Sequence, residues 1–220
     1  MQPTENTANA ILEELRNATD LRGYVDFDLP IPMNFVGSGS IRLIVLGQDP
    51  TIKNPKSKAN ITTVLNLDKS GQLRRYLEKV CKGLGLDLNQ NVFATNLYKN
   101  FFTTQPTKIK DINPFQAFLP YWQGLLLEEI NAYPDVPIIS LGQPLLGALV
   151  KDGASPLVRE YWGYSPGWKT EVLGPLRYLR SEDNILGRRV FPFPHQPSLA
   201  KQFYSKYLSS YTAFLKQNLG

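Results

Sequence analysis

Asp49, Asn96 and His195 are the residues of this 220-residue chain whose types and positions could do chemistry together. Each stands just past an apolar, β-rich run. Ile41-Arg42-Leu43-Ile44-Val45-Leu46 gives way to Gly47-Gln48-Asp49-Pro50-Thr51, and Asn91-Val92-Phe93-Ala94-Thr95 to Asn96-Leu97. Val136-Pro137-Ile138-Ile139-Ser140-Leu141 leads into Gly142-Gln143-Pro144, and Arg189-Val190-Phe191-Pro192-Phe193 into Pro194-His195-Gln196-Pro197-Ser198. Open α/β sheets bind ligands beyond the carboxyl ends of their strands. A carboxylate, two amides and the sole histidine are therefore expected to face one crevice. Taken singly, each has an ordinary explanation: Asp before Pro makes turns and caps, Asn closes loops, and a lone His is commonly structural. Polar groups at successive strand ends carry more weight than any one of them.

The elements that must position these groups are legible in the apolar spacing. Ala10, Ile11, Leu12 and Leu15 share one face of a helix expected between Glu5 and Asp20. Leu73, Tyr76, Leu77, Val80 and Leu84 repeat at helical spacing between the first two runs. Asn113-Pro114 starts a helix carrying Phe118, Tyr121, Trp122, Leu125, Leu126 and Ile130, and Leu199 to Leu219 closes the chain as another. Strands alternating with such helices predict βαβ units and a parallel sheet covered on both faces. The expected fold is α/β, a three-layer α/β/α sandwich around a central four-stranded, mainly parallel sheet. Pro192 demotes the fourth strand to an edge or to a frayed end. Residues 1–220 read as a single domain, with a loop at about 154–188 that holds Trp162, Tyr164 and Trp168 as an elaboration.

Composition narrows the chemistry. The chain is 42% hydrophobic and 20% charged, which suits a folded core rather than disorder. One cysteine, Cys81, builds no four-cysteine zinc site or iron–sulfur cluster and no intrachain disulfide. It fits a reducing, cytoplasmic setting. No secretory signal is visible, and no apolar run approaches the ~20 residues of a membrane helix, so no membrane partner is expected. The net charge of +5 is compatible with DNA without pointing to it.

Leu43-Ile44-Val45-Leu46-Gly47-Gln48-Asp49-Pro50 resembles the first motif of the uracil-DNA glycosylase superfamily, a hydrophobic strand running into Gly-Gln-Asp-Pro. Asn96 matches the second motif, an Asn ending the next strand. Pro194-His195-Gln196-Pro197-Ser198-Leu199 resembles the last, His-Pro-Ser, with one residue inserted. The resemblance covers Ile41 to Leu219. It implies a uracil-DNA glycosylase-like fold and a monofunctional hydrolase without metal or cofactor. Such an enzyme cleaves the N-glycosidic bond of uracil or a related damaged base in DNA, the first step of base-excision repair. By the same resemblance Asp49 directs the attacking water and Asn96 reads the Watson–Crick edge. His195 donates to the base oxygen where charge develops, as an oxyanion hole does, and Gln48 holds the other oxygen. Lys53, Lys56 and Lys58, with Ser198 and Leu199, are the expected DNA contacts. Leu199 is a candidate wedge for the gap left by the flipped base, or simply core. The expected partner is single-stranded or mismatched DNA, from which flipping is cheapest, met by a monomer.

Three departures support a second reading. Thr51 stands where the best-known branch has a Tyr that blocks thymine's methyl, and it leaves room beside the base. Ala59-Asn60-Ile61-Thr62-Thr63-Val64 lacks that branch's stacking aromatic, and Gln196 interrupts the last motif. The alternative is a catalytically degenerate protein that binds nucleic acid or a nucleobase without cleaving. A third, an unrelated small-molecule enzyme on a similar sheet, rests on fold analogy alone.

Overall fold

A computed structural model describes residues 5–52, 54–151, 154, 156–164, 174–195 and 202–219, and in it the apolar runs are strands. With β1 (Phe35–Val36) before them, they are β2 (Leu43–Gly47), β3 (Val92–Asn96), β4 (Ile138–Leu141) and β5 (Val190–Phe193), in the order β1-β3-β2-β4-β5. β3, β2, β4 and β5 run parallel, and every one of their residues is buried. That is why they read as near-continuous apolar runs rather than as alternating ones.

The chain is α/β as expected, but the sheet has five strands and is mixed. The strand missing from the sequence reading is β1, which pairs antiparallel with β3 through Phe35 opposite Ala94 and Val36 opposite Phe93. Two residues carry no alternation to detect, so β1 exists only through its partner. Pro192 stands in β5 at the opposite edge, where its missing N–H leaves no neighbouring strand unpaired.

Among the described residues the α-helices are α1 (Glu5–Asn17), α2 (Pro55–Lys58), α3 (Gln72–Leu84), α4 (Leu88–Asn91), α5 (Pro114–Ala117), α6 (Leu119–Asn131), α7 (Gln143–Leu149), α8 (Val158–Tyr161) and α9 (Gln202–Gln217). α3 packs against α9, and α1 against α6. The apolar face read in α3 is the buried one, with Tyr76, Leu77, Val80 and Leu84 in the core. The helix expected from Asn113 is two helices. Asn113 caps α5 by accepting the Phe115 amide at 3.1 Å, and Pro120 then opens α6 in a first turn that needs no amide hydrogen. Phe118 is the joint between them. Among the described residues no helix is long and apolar enough to cross a membrane.

Trp162 fixes the described part of the elaborated loop to the sheet. Its indole is fully buried, donates to the Pro192 carbonyl at 2.7 Å and stacks on Tyr211 at 4.5 Å between ring centroids. Tyr164 lies under the Arg159 guanidinium at 4.1 Å and meets Phe203 edge-on at 5.6 Å. Both rings thus pin the loop to the protein, while Trp168 lies outside the described residues. Trp162→Ala removes a buried ring and leaves the Pro192 carbonyl unpaired. It is expected to lower stability by about 3–5 kcal/mol, read from the urea unfolding midpoint.

Candidate active site

β2 and β3 end side by side, with Gly47 opposite Asn96. Beyond the strands the chains stay laced together, because Leu97 N donates to Gly47 O and Tyr98 N to Gln48 O, both at 2.9 Å. Gln48 and Asp49 therefore leave the sheet beside Asn96. On the other side of β2, Gly142 follows β4 and donates its amide to Phe193 O at 2.8 Å. Its φ of +98° and the 3.3 Å from where its Cβ would stand to His195 Cβ make a side chain there costly. Asp49, Asn96 and His195 thus emerge from one edge of the sheet, around the switch point between β2 and β4.

The Asp49 carboxylate is half-buried and held on both oxygens. Gln48 Nε2 donates to Oδ2 at 2.6 Å, and the Thr51 amide donates to Oδ1 at 2.7 Å, an Asx turn of the kind Asp-Pro favours. Burial raises the Asp49 pKa to about 6, against the lowering effects of the Thr51 and Gln48 bonds and of the Lys58 charge. At neutral pH the group is mainly ionised, yet poorly solvated and basic for a carboxylate.

This geometry changes three expected roles. The Gln48 side-chain amide is turned to Asp49, not held out for a base. The Thr51 hydroxyl accepts the Phe102 amide at 2.8 Å, so the residue supports the Asp49 turn. Lys58, expected on a DNA-facing surface, is only 7% exposed. Its ammonium turns inward to Phe102 O at 2.8 Å and Asp26 Oδ2 at 3.4 Å. Lys53, Ser198 and Leu199 lie outside the described residues, as does Gln196, and of Lys56 only the backbone in α2 is described.

Asn96 is 1% exposed, and neither Oδ1 nor Nδ2 has a hydrogen-bond partner. Such a donor–acceptor pair normally finds partners, and leaving it unpaired costs roughly 1–3 kcal/mol for each group. The amide lies over Gly47, where a Cβ would stand 2.2 Å from Oδ1 and 2.7 Å from Leu65 Cδ2. Leu65 and Asn66 have φ values of +57° and +53°, the left-handed region that β-carbon-bearing residues avoid. A strained turn and an unsatisfied amide therefore meet at the end of β3. Nothing in the residue types around Leu65 signals this role, since only the fold brings it to Gly47.

His195 is exposed, and the protein around its ring still desolvates it enough to lower its pKa. The imidazole is neutral at pH 7 and keeps one N–H to donate. The Tyr76 hydroxyl, from α3, donates to Pro194 O at 3.2 Å and steadies the chain just before it.

Two further residues escaped the sequence reading. Lys99 and Glu129 form a buried ion pair behind β3. Glu129 carried a visible signal, because it occupies a core position of α6 among Trp122, Leu125, Leu126 and Ile130. The same pair walls a cavity of about 560 Å³ between α1, residues 27–34 and α6, which contains none of Asp49, Asn96 and His195.

Two outcomes follow from this geometry. The folded Asp49 titrates near 6 instead of its ordinary 3.8, so its contribution to stability falls as pH rises between those values. Above pH 6 Asp49→Asn is expected to be more stable than the parent by roughly 1–3 kcal/mol, with no difference below pH 4. Thermal unfolding across pH checks it. Gly47→Ala is expected to displace the Asn96 amide, seen as a shift of its side-chain ¹⁵N–¹H pair. A scan against protein-family models finds no match, and a search of curated proteins finds no relative.

Proposed function

We propose that this chain is a DNA glycosylase that hydrolyses the N-glycosidic bond of uracil or a related damaged base. It would act as a divergent, uracil-DNA glycosylase-like enzyme on single-stranded or mismatched DNA. The observation that carries the reading is the buried, unpartnered amide of Asn96 beside an ionisable carboxylate. One donor and one acceptor are what uracil N3–H and O4 require in reverse, and a bound base would satisfy both. The strand order supports the matching architecture. The chain crosses from β2 to β3 in one direction and from β3 to β4 in the other. Right-handed connections then put α3 and α6 over opposite faces, in a three-layer fold.

Cleavage passes through an oxocarbenium-like sugar while negative charge grows on the departing base. Asp49, ionised and weakly solvated, stabilises that cation and directs water at the anomeric carbon. Its hydrogen bonds from Gln48 and Thr51 fix the carboxylate before substrate arrives, which removes reorganisation from the barrier. His195, neutral, donates to the base oxygen as charge develops. A uracil anion leaves without full protonation, so a second carboxylate of the kind O-glycosidases use is unnecessary.

A non-cleaving nucleobase binder is the second reading. It is favoured by the engagement of Gln48 and Thr51 with Asp49, which leaves fewer groups to hold a base. Oligonucleotides containing uracil, hypoxanthine or mispaired thymine separate the two. Alkali-labile sites are expected on at least one substrate. Asp49→Asn is expected to lose about 100- to 10,000-fold in turnover with little change in DNA binding. Because the ionised form is required, the rate should rise with pH through about 6 and level above it. No base release from any substrate, with DNA binding retained, would overturn the enzyme in favour of the binder.

A further inference from the structure

We propose that Lys99 and Glu129 are positioning residues for base recognition, a buried ion pair that holds the Asn96 peptide and so aims its amide. The proposal rests on the glycosylase reading and names residues that the sequence resemblance does not supply. β1 lies opposite only Phe93 and Ala94, so the last two residues of β3 have no strand beyond them on that edge. Side chains bond there instead. Lys99 Nζ donates to the Asn96 carbonyl at 2.7 Å, to Thr95 Oγ1 at 2.6 Å and to Glu129 Oε2 at 2.5 Å, which uses all three of its hydrogens. Glu129 Oε2 also accepts the Thr95 hydroxyl at 2.6 Å, and its Oε1 accepts Asn34 Nδ2 at 2.8 Å.

Lys99, from the chain after β3, thus bonds the Asn96 peptide itself, while Glu129 of α6 and, through it, Asn34 before β1 hold the Lys99 ammonium in place. Lys99 is 4% exposed and Glu129 3%, so neither charge serves solubility or contacts DNA. A buried pair is weak evidence for stability, because well-packed neutral residues often do as well. What it offers here is geometry. Asn96 has no hydrogen bond of its own to fix its side chain, and its peptide is fixed instead, from behind the strand. With all three Lys99 hydrogens and both Glu129 oxygens engaged, the network is rigid at that carbonyl.

Removing one partner alone strands a buried charge and can unfold the chain. The double variant Lys99→Met/Glu129→Gln removes both charges at similar volume and leaves Glu129's neutral replacement able to bond Thr95 and Asn34. It is compared with the parent on uracil- and cytosine-containing oligonucleotides, with the Asn96 side-chain ¹⁵N–¹H pair recorded in the full chain. Uracil kcat/KM is expected to fall about 10- to 100-fold, as loss of alignment does. The preference for uracil over cytosine should fall about 10-fold, because discrimination depends on the aim of the amide. The Asn96 pair should shift or broaden. A purely structural role would lower the active fraction and leave the uracil-to-cytosine ratio unchanged, and that result overturns the proposal while the glycosylase reading stands. If the parent releases no base, the glycosylase reading fails instead, and an unchanged Asn96 resonance in the variant then overturns positioning as well.

Discussion

Gly47 has to come level with Asn96, and much of the candidate site follows from that register. Parallel pairing sets the last residue of β2 beside the last residue of β3, and the missing side chain at Gly47 makes room for an amide. A Cβ there would stand 2.2 Å from Asn96 Oδ1, well inside contact distance. A shift of one residue would turn Asn96 to the other face of the sheet. It would also part Asp49 from the strand end beside it. The buried runs Leu43–Leu46 and Val92–Thr95 hold the register, since slipping it would move apolar side chains out of the packing they share.

Around that contact the protein retains groups that a stability-optimised core would avoid. Asn96 is unpaired, Leu65 and Asn66 are in left-handed conformations, Asp49 is a carboxylate resisting its own ionisation, and Lys99 with Glu129 is an ion pair out of water. They gather at the carboxyl end of β2 and β3. Strain and unsatisfied polarity concentrate at functional sites because the rest of the structure holds them there. Away from these strand ends Trp162 is satisfied by the Pro192 carbonyl, and Cys81 is a buried thiol with its pKa pushed up to about 12.

The roles that differ between sequence and structure differ in where the side chains point. Gln48, Thr51 and Lys58 flank the Asp motif, which by sequence alone points them at a ligand, and each bonds within the protein. For Thr51 and Lys58 the partners lie far along the chain, at Phe102 and Asp26, which no local pattern reveals, whereas Gln48 turns to its neighbour Asp49. β1 was invisible for a similar cause, being a strand only through β3. Pro120, by contrast, stood in plain sight, and a proline suits the first turn of a helix better than its interior.

The α/β class, the ends of the central strands and the residues stationed there are legible in the residue order. Continuous apolar runs, polar breaks and helical spacing are local properties that burial on both faces of a sheet imposes on composition. Only folding sets the Asn96 amide unpaired over Gly47, brings Leu65 against it and lets Lys99, paired with Glu129, bond its carbonyl. Those are contacts between residues far apart along the chain, Gly47 with Asn96 and Lys99 with Glu129 among them. Desolvation, which raises the Asp49 pKa, depends on everything packed around the carboxylate rather than on its neighbours in sequence.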